Sequence, residues 1–204
     1  MRNLPNILSM SRLVATVVVF ILILVNQPWA FLAATVLFVL ASVTDYLDGY
    51  LARKMKAVSS LGVFLDLTAD KILVAAILIA LVQIGTIPAW ITFIIITREF
   101  LVSGLRSLAA TKGHVIPAGK WGKQKTFITL VAIGGVLLAK GLGAHLLSLF
   151  PPMLNFNSQM LNVGEPLLLV SDCLMILAVI WTIFSGIEYM LGAMPIFRQE
   201  QSKP

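Results

Sequence analysis

Apolar residues gather into six long blocks along the chain, at about 8–26, 29–48, 62–84, 88–108, 122–142 and 166–191, with polar intervals between them. A helix that crosses the hydrocarbon core of a bilayer needs roughly 20 mainly apolar residues, and each block meets that length. The intervals Asn26-Gln27-Pro28 and Gly85-Thr86-Ile87-Pro88 are short and uncharged, which suits tight antiparallel hairpins. The pattern predicts an all-α integral membrane protein, a bundle of six transmembrane helices. Ahead of the first block, MRNLPNILSMSR (residues 1–12) mixes Leu, Ile and Met with Asn and Arg and predicts a short N-terminal helix lying in the membrane interface. The stretch 143–165 holds two adjacent prolines among scattered apolar residues and reads as an external loop resting partly on the membrane. There is no internal repeat and no low-complexity segment.

Composition agrees. Of 204 residues, 59% are hydrophobic and 12% charged, against about 25% charged in an ordinary soluble domain, and the mean hydropathy is +0.96. Six spans leave little chain for anything else, so residues 1–204 are expected to form one membrane domain. The first block follows Arg2 and Arg12 and resembles the apolar core of a signal peptide, but five more blocks follow and an uncleaved first span is the simpler reading. The single cysteine, Cys173, excludes an intrachain disulfide. A net charge of +6 on a membrane chain reflects orientation and contact with anionic headgroups rather than nucleic acid. With the amino terminus in the cytoplasm, Lys140 alone of the fifteen basic residues falls on the far side. The positive-inside rule therefore places both termini in the cytoplasm, in a multi-pass bacterial cytoplasmic membrane.

The second and third blocks meet around DYLDGYLARKMKAVSSLGVFLDLTAD, residues 45–70, which carries four aspartates. At roughly 100° per helical residue, positions 45, 48, 49 and 52 share one face, and so do 62, 66 and 70. If the two faces meet, the carboxylates of Asp45, Asp48, Asp66 and Asp70 converge beside Gly49, Ala52 and Gly62, the smallest side chains available. Four carboxylates at the edge of hydrocarbon repel one another and resist ionisation. Divalent cations resolve the conflict: Mg²⁺ takes hard oxygen ligands and keeps positions open for phosphate oxygens, and two ions can hold an attacking and a leaving oxygen together. Arg53 adds a planar fork suited to phosphate. Helix capping accounts for one or two such aspartates, not for four at face-matching spacings.

These residues resemble the signature of the CDP-alcohol phosphotransferase family, DxxDGxxAR(x)8GxxxDxxxD. Asp45, Asp48, Gly49, Ala52, Arg53, Gly62, Asp66 and Asp70 fill every fixed position. The resemblance implies transfer of a phosphoryl-linked group from a CDP-alcohol to an acceptor hydroxyl with release of CMP. It also implies Mg²⁺ or Mn²⁺, two ions, on Asp45, Asp48, Asp66 and Asp70, with Asp70 the candidate general base. Asp48, Gly49, Ala52, Arg53, Gly62 and Asp66 would bound the cytidine diphosphate, and a homodimer is implied as well.

The acceptor must be read from the second half. TREFLVSGLR (97–106) places Arg98, Glu99 and Arg106 in the fourth block, and GKWGKQKT (119–126) places Lys120, Lys123 and Lys125 before the fifth. Glu99 and Arg106 are seven apart, a spacing that allows an ion pair or relay. Cations beside a diphosphate site suggest an anionic acceptor, and within an apolar run Arg98 and Arg106 are costly unless they face a cavity or partner. The stretches REF...S.LR, GKxKT and NLPNILSMSR resemble the phosphatidylglycerophosphate synthase branch of the family. That branch implies CDP-diacylglycerol as donor and sn-glycerol 3-phosphate as acceptor, with Arg98, Arg106, Lys123 and Lys125 holding the acceptor phosphate.

Other readings stand beside it. Cardiolipin, phosphatidylserine and phosphatidylinositol synthases share the aspartate signature. Intramembrane prenyltransferases also hold Mg²⁺ and diphosphate on aspartate-rich helix ends, but on paired motifs far apart in sequence. A cation transporter would place its carboxylates near the midplane. Asp172 and Glu188 are expected at the two interfaces, Glu188 with a supporting role, and His114 and His145 lack metal-ligand partners at helical spacing. No GxxxG links Gly134, Gly135, Gly141 and Gly143, so no dimer face is assigned.

Overall fold

The computed structural model describes residues 4–55, 60–111, 120–144 and 164–201. They form six helices: α1 (Leu4–Val25), α2 (Pro28–Met55), α3 (Ser60–Gln83), α4 (Ala89–Thr111), α5 (Lys120–Gly141) and α6 (Gly164–Gln201). Among the described residues there is no strand. Helices and apolar blocks coincide in number and order, but the helices run further. α2 continues past its apolar block through Arg53 to Met55, because Tyr-Leu-Ala-Arg-Lys-Met contains good helix formers and no breaker. α6 likewise continues to Gln201. The expected interfacial element at the amino terminus is helical, yet it is no separate helix: α1 is unbroken from Leu4, and Pro5 sits in the first turn, where its missing N–H costs nothing. The expected external loop falls almost wholly on 145–163, outside the described residues.

The turns explain where helices stop. After α1, Asn26 adopts φ 52°, a left-handed conformation that asparagine tolerates. Pro28 then opens α2 at the first helical position, while the Gln27 carbonyl accepts from the amides of Ala30 and Phe31. α3 ends in a Schellman motif: Gly85 has φ 72°, its amide bonds the Val82 carbonyl at 2.9 Å, and the Thr86 amide bonds the Leu81 carbonyl at 2.9 Å.

Packing closes the helices into a ring, α1–α2–α5–α6–α4–α3 and back to α1, with a lesser contact of α3 with α5 across it. Ile23, Leu73, Ile77, Leu81, Ile133, Leu137 and Met175 are fully buried between these neighbours. α5 and α6 make the most extensive contact. It is close because Gly135 lacks a side chain: a Cβ there would lie 2.3 Å from Ser171 Oγ and 3.2 Å from Ser171 Cβ.

The outer surface is apolar. Val17 and Ile21 of α1, Val36 and Leu40 of α2, Phe93 and Phe100 of α4, and Phe184 and Ile187 of α6 are exposed. The buried hydroxyls of Thr16, Thr129 and Thr182 donate to carbonyls four residues back in their own helices, at 2.8, 2.9 and 2.6 Å. That self-satisfaction lets polar residues sit inside without water. Among the described residues, Gly164–Gly192 of α6 is the one helical stretch both long and apolar enough to cross a membrane, and Met10–Val25 and Pro28–Thr44 are shorter apolar stretches.

Gly135→Val should wedge α5 from α6 and lower stability by about 1–3 kcal/mol, the usual cost of overpacking. The check is thermal melting in detergent, with Ser171→Gly in the same chain recovering part of the loss. An unchanged Tm for Gly135→Val would contradict the close contact.

Candidate active site

The signature aspartates lie on two helices that are continuous through all four positions. Asp45 and Asp48 fall in the last third of α2, with Gly49, Ala52 and Arg53, and Gly62, Asp66 and Asp70 fall in the first half of α3. The helical spacings that put 45, 48, 49 and 52 on one face, and 62, 66 and 70 on another, are therefore realised in the backbone. The side chains of residues 45–67 lie outside the described ones, and Asp70 is the member of the set whose side chain is described.

Asp70 lines a small cleft of about 30 Å³, together with Lys71 and Val74 of α3, Glu99 of α4, and Lys125, Thr126, Thr129 and Leu130 of α5. Three consecutive helices meet there. Across the cleft the Glu99 carboxylate accepts from the Lys125 ammonium, a bond between α4 and α5. The lysine side chain is 4% exposed and the glutamate 22%. Glu99 also accepts from Arg98 Nη1 at 3.3 Å. Lys125 is near enough to Asp70 for their charges to attract. Two acids, Asp70 and Glu99, face two bases, Lys71 and Lys125, so the lining is formally neutral. Its anion-binding capacity must therefore come from cations beside it.

Arg98 is one such cation. Its side chain is 14% exposed, and Nη2 lies 3.8 Å from where a Cβ of Gly122 would stand, so the guanidinium reaches the start of α5. Its Nε is buried without a hydrogen-bond partner. Arg106 goes elsewhere. The spacing that would allow it to pair with Glu99 is not used: Glu99 turns to Lys125 and Arg98, and Arg106 lies over the Tyr189 ring of α6 at 5.7 Å from its centroid. Lys123 is on α5, but its side chain is outside the described residues, as are residues 112–119 with Lys112 and His114. The structure thus gathers Asp70, Arg98, Glu99 and Lys125 and sets Arg106 apart from Glu99.

Three features escaped the sequence reading. Lys71 lines the cleft, a placement hinted at by its position directly after Asp70. Tyr189 receives Arg106, and nothing in the local sequence signals it. Asp172 is buried in the bundle at 4% exposure, within charge-attraction range of Lys140, which also feels Glu165. Glu188 is exposed.

A divalent ion fits the signature set. Carboxylate oxygens are hard donors of the kind Mg²⁺ and Mn²⁺ take, and Asp70 already faces an open cleft. Among the described residues no three His, Cys, Asp or Glu side chains group closely enough to hold a metal, so the fit rests on the four aspartates together.

Glu99→Gln should leave the Lys125 ammonium buried without its counter-charge and destabilise the protein by about 3 kcal/mol, the scale for breaking a buried pair. Thermal melting in detergent checks it, and Glu99→Gln combined with Lys125→Met should recover most of the loss. A double variant no more stable than Glu99→Gln alone would contradict the pairing.

Comparison with known proteins supplies the family. Residues 2–184 match the model of the CDP-alcohol phosphatidyltransferase family. A Bacillus subtilis protein named CDP-diacylglycerol–glycerol-3-phosphate 3-phosphatidyltransferase is 42% identical over 150 residues, covering 68% of this chain and 78% of its own. A Rickettsia bellii protein of the same name is 40% identical over 136 residues, covering 67% and 75%. A third, from Pseudomonas fluorescens, is 32% identical over 208 residues, covering 98% of this chain and 95% of its own. With a family match spanning most of its length, and the eight signature residues in place on α2 and α3, the chain belongs to the CDP-alcohol phosphatidyltransferase family.

Proposed function

We propose that this chain transfers the phosphatidyl group from CDP-diacylglycerol to sn-glycerol 3-phosphate, releasing CMP and forming phosphatidylglycerophosphate, a step of phospholipid biosynthesis. The observation that carries the reading is the cleft that sets Asp70 of the signature beside Lys71, Glu99 and Lys125, with Arg98 alongside. Relatives named for this reaction cover nearly the whole chain. The signature supplies the donor half of the site and the α4–α5 cations supply the acceptor half.

In this reading residues 1–204 are one domain and all six helices cross the bacterial cytoplasmic membrane. The apolar outer surface favours it, since Val17, Val36, Phe93 and Phe184 would otherwise face water. The distribution of Lys and Arg puts both termini and the cleft on the cytoplasmic side, and the homodimer implied by the family belongs to the same reading. A site opening near the cytoplasmic face lets the acyl chains of the donor stay in lipid while the soluble acceptor enters from water.

Asp48, Gly49, Ala52, Arg53, Gly62 and Asp66 bound the cytidine diphosphate, the glycines and alanine leaving room for it against the helices. Asp45, Asp48, Asp66 and Asp70 would hold two Mg²⁺ or Mn²⁺ ions, which when bound offset the diphosphate charge and stabilise the leaving oxygen. Arg98, Arg106, Lys123 and Lys125 hold the acceptor phosphate and so orient the glycerol. Its 1-hydroxyl oxygen attacks the phosphorus attached to diacylglycerol, the new O–P bond forms, and the bond to the CMP oxygen breaks. The hydroxyl proton passes to the Asp70 carboxylate, and CMP leaves with the bonding electron pair.

Asp70→Asn should cut CMP release at least about a hundredfold, the lower range for loss of a general base, with Tm near that of the parent. Near-normal turnover would remove Asp70 from the chemistry. Lys123→Gln should raise the KM for glycerol 3-phosphate several-fold while leaving the KM for CDP-diacylglycerol nearly unchanged. Equal changes for both substrates would count against an acceptor clamp at that position.

A further inference from the structure

α6 takes no part in the aspartate signature or in the lysines of α5, yet it touches both arginines of α4. Two residues make the contacts. A Cβ built on Gly186 would lie 3.2 Å from Arg98 Cγ, so the stem of Arg98 packs directly on the bare backbone of α6 at that point. Three residues on, the Tyr189 ring lies under the Arg106 guanidinium, 5.7 Å from centroid to Cζ, with Arg106 Nε 3.5 Å from the tyrosine oxygen. Positions three apart on a helix share a face, and Thr182 and Ser185, buried on the same face, mark it as the one packed into the ring.

The direction of the effect follows from burial. Tyr189 is 8% exposed and fixed by the bundle, whereas Arg106 is exposed and forms no ion pair with an acid among the described residues. An exposed arginine carries large rotamer freedom, and the tyrosine face removes part of it before any ligand arrives. At Gly186 the restraint is steric: the missing methyl sets how far Arg98 can lie toward α6 and hence where its guanidinium ends, beside Gly122. Both residues lie beyond the segment 2–184 that matches the family model.

We infer that Gly186 and Tyr189 of α6 are positioning residues that preset Arg98 and Arg106, and thereby set the affinity for the phosphate of the acceptor. The inference rests on the acceptor role given above to the two arginines. It makes α6 a determinant of acceptor preference and leaves donor binding to α2 and α3.

The test uses the purified full chain in detergent with CDP-diacylglycerol and Mg²⁺, following CMP release against glycerol 3-phosphate. Tyr189→Leu should raise the KM for glycerol 3-phosphate about two- to fivefold, the scale of an exposed cation–π contact. The kcat and the donor KM should stay within about twofold. Tyr189→Phe keeps the ring and should shift that KM less, because the 3.5 Å contact to the tyrosine oxygen is at the long limit of a hydrogen bond. Gly186→Ala should raise the same KM through Arg98. In an Arg106→Gln background, Tyr189→Leu should add nothing further. A full additional rise there, an equal rise in the donor KM, or no change in the acceptor KM would each overturn the inference. Labelling of Arg106 by an arginine-selective dicarbonyl, read by peptide mass spectrometry, gives a second measure that needs no turnover. It should speed up in Tyr189→Leu, and unchanged labelling overturns the positioning. If the parent protein releases no CMP with glycerol 3-phosphate, the proposed function falls, while labelling still decides whether Tyr189 holds Arg106.

Discussion

The bond between the Glu99 carboxylate and the Lys125 ammonium is the interaction on which the arrangement of the cleft depends. An ammonium 4% exposed inside a bundle with an apolar exterior is tolerable only with a counter-charge in contact. The pair ties α4 to α5 at the depth where Asp70 of α3 faces them, so the three helices that line the cleft are held in one relation. It also leaves the cleft lining formally neutral. The net attraction for anionic substrates must then come from charges added to that neutral lining: Arg98 at the edge, the other cations of α4 and α5, and ions on the aspartates. The lining of the cleft thus carries no large unpaired charge in a medium that solvates charge poorly.

The ring order of the helices explains how one chain divides the work. Turns after α1, α3 and α5 close one end, with Asn26, Gly85 and Gly143 in left-handed conformations. Signature, lysines and arginines lie toward the other. α2 and α3 carry the aspartates as a hairpin, α4 and α5 face them with cations, and α6 closes the ring against α4 and α5. A second charge set, Lys140 with Glu165 and the buried Asp172, lies near the turned end of α5 and α6. It lies far from the cleft, and Gly135 brings the two helices together between the ends.

Much of this was legible before the structure. Six apolar blocks gave six helices because block length reports the length of chain that can be buried in an apolar medium. The aspartate pattern could be placed on helix faces because α2 and α3 run unbroken through it. What the sequence could not give were pairings between helices. Glu99 and Arg106, seven apart, share one helical face, but the nearer partner for Glu99 was Lys125, on another helix, and Arg106 found an aromatic face 83 positions away. Asp172 was expected near an interface because block ends are where charges usually sit, but its burial against α5, near Lys140, is a contact between helices that no local pattern reports. The amino-terminal segment mixed polar and apolar residues and suggested a separate element, whereas helix continuity is decided by the absence of a breaker after the first turn.

The central claim is that the aspartates of α2 and α3 and the cations of α4 and α5 form one site for a metal-assisted transfer to glycerol 3-phosphate. The most direct measurement is CMP release by the purified protein in detergent, with CDP-diacylglycerol and Mg²⁺ and with glycerol 3-phosphate, serine, inositol or phosphatidylglycerol offered singly. Release with glycerol 3-phosphate, abolished by a chelator and restored by added Mg²⁺, is the predicted result. Release with a different acceptor, or release that survives complete removal of the metal, would contradict it.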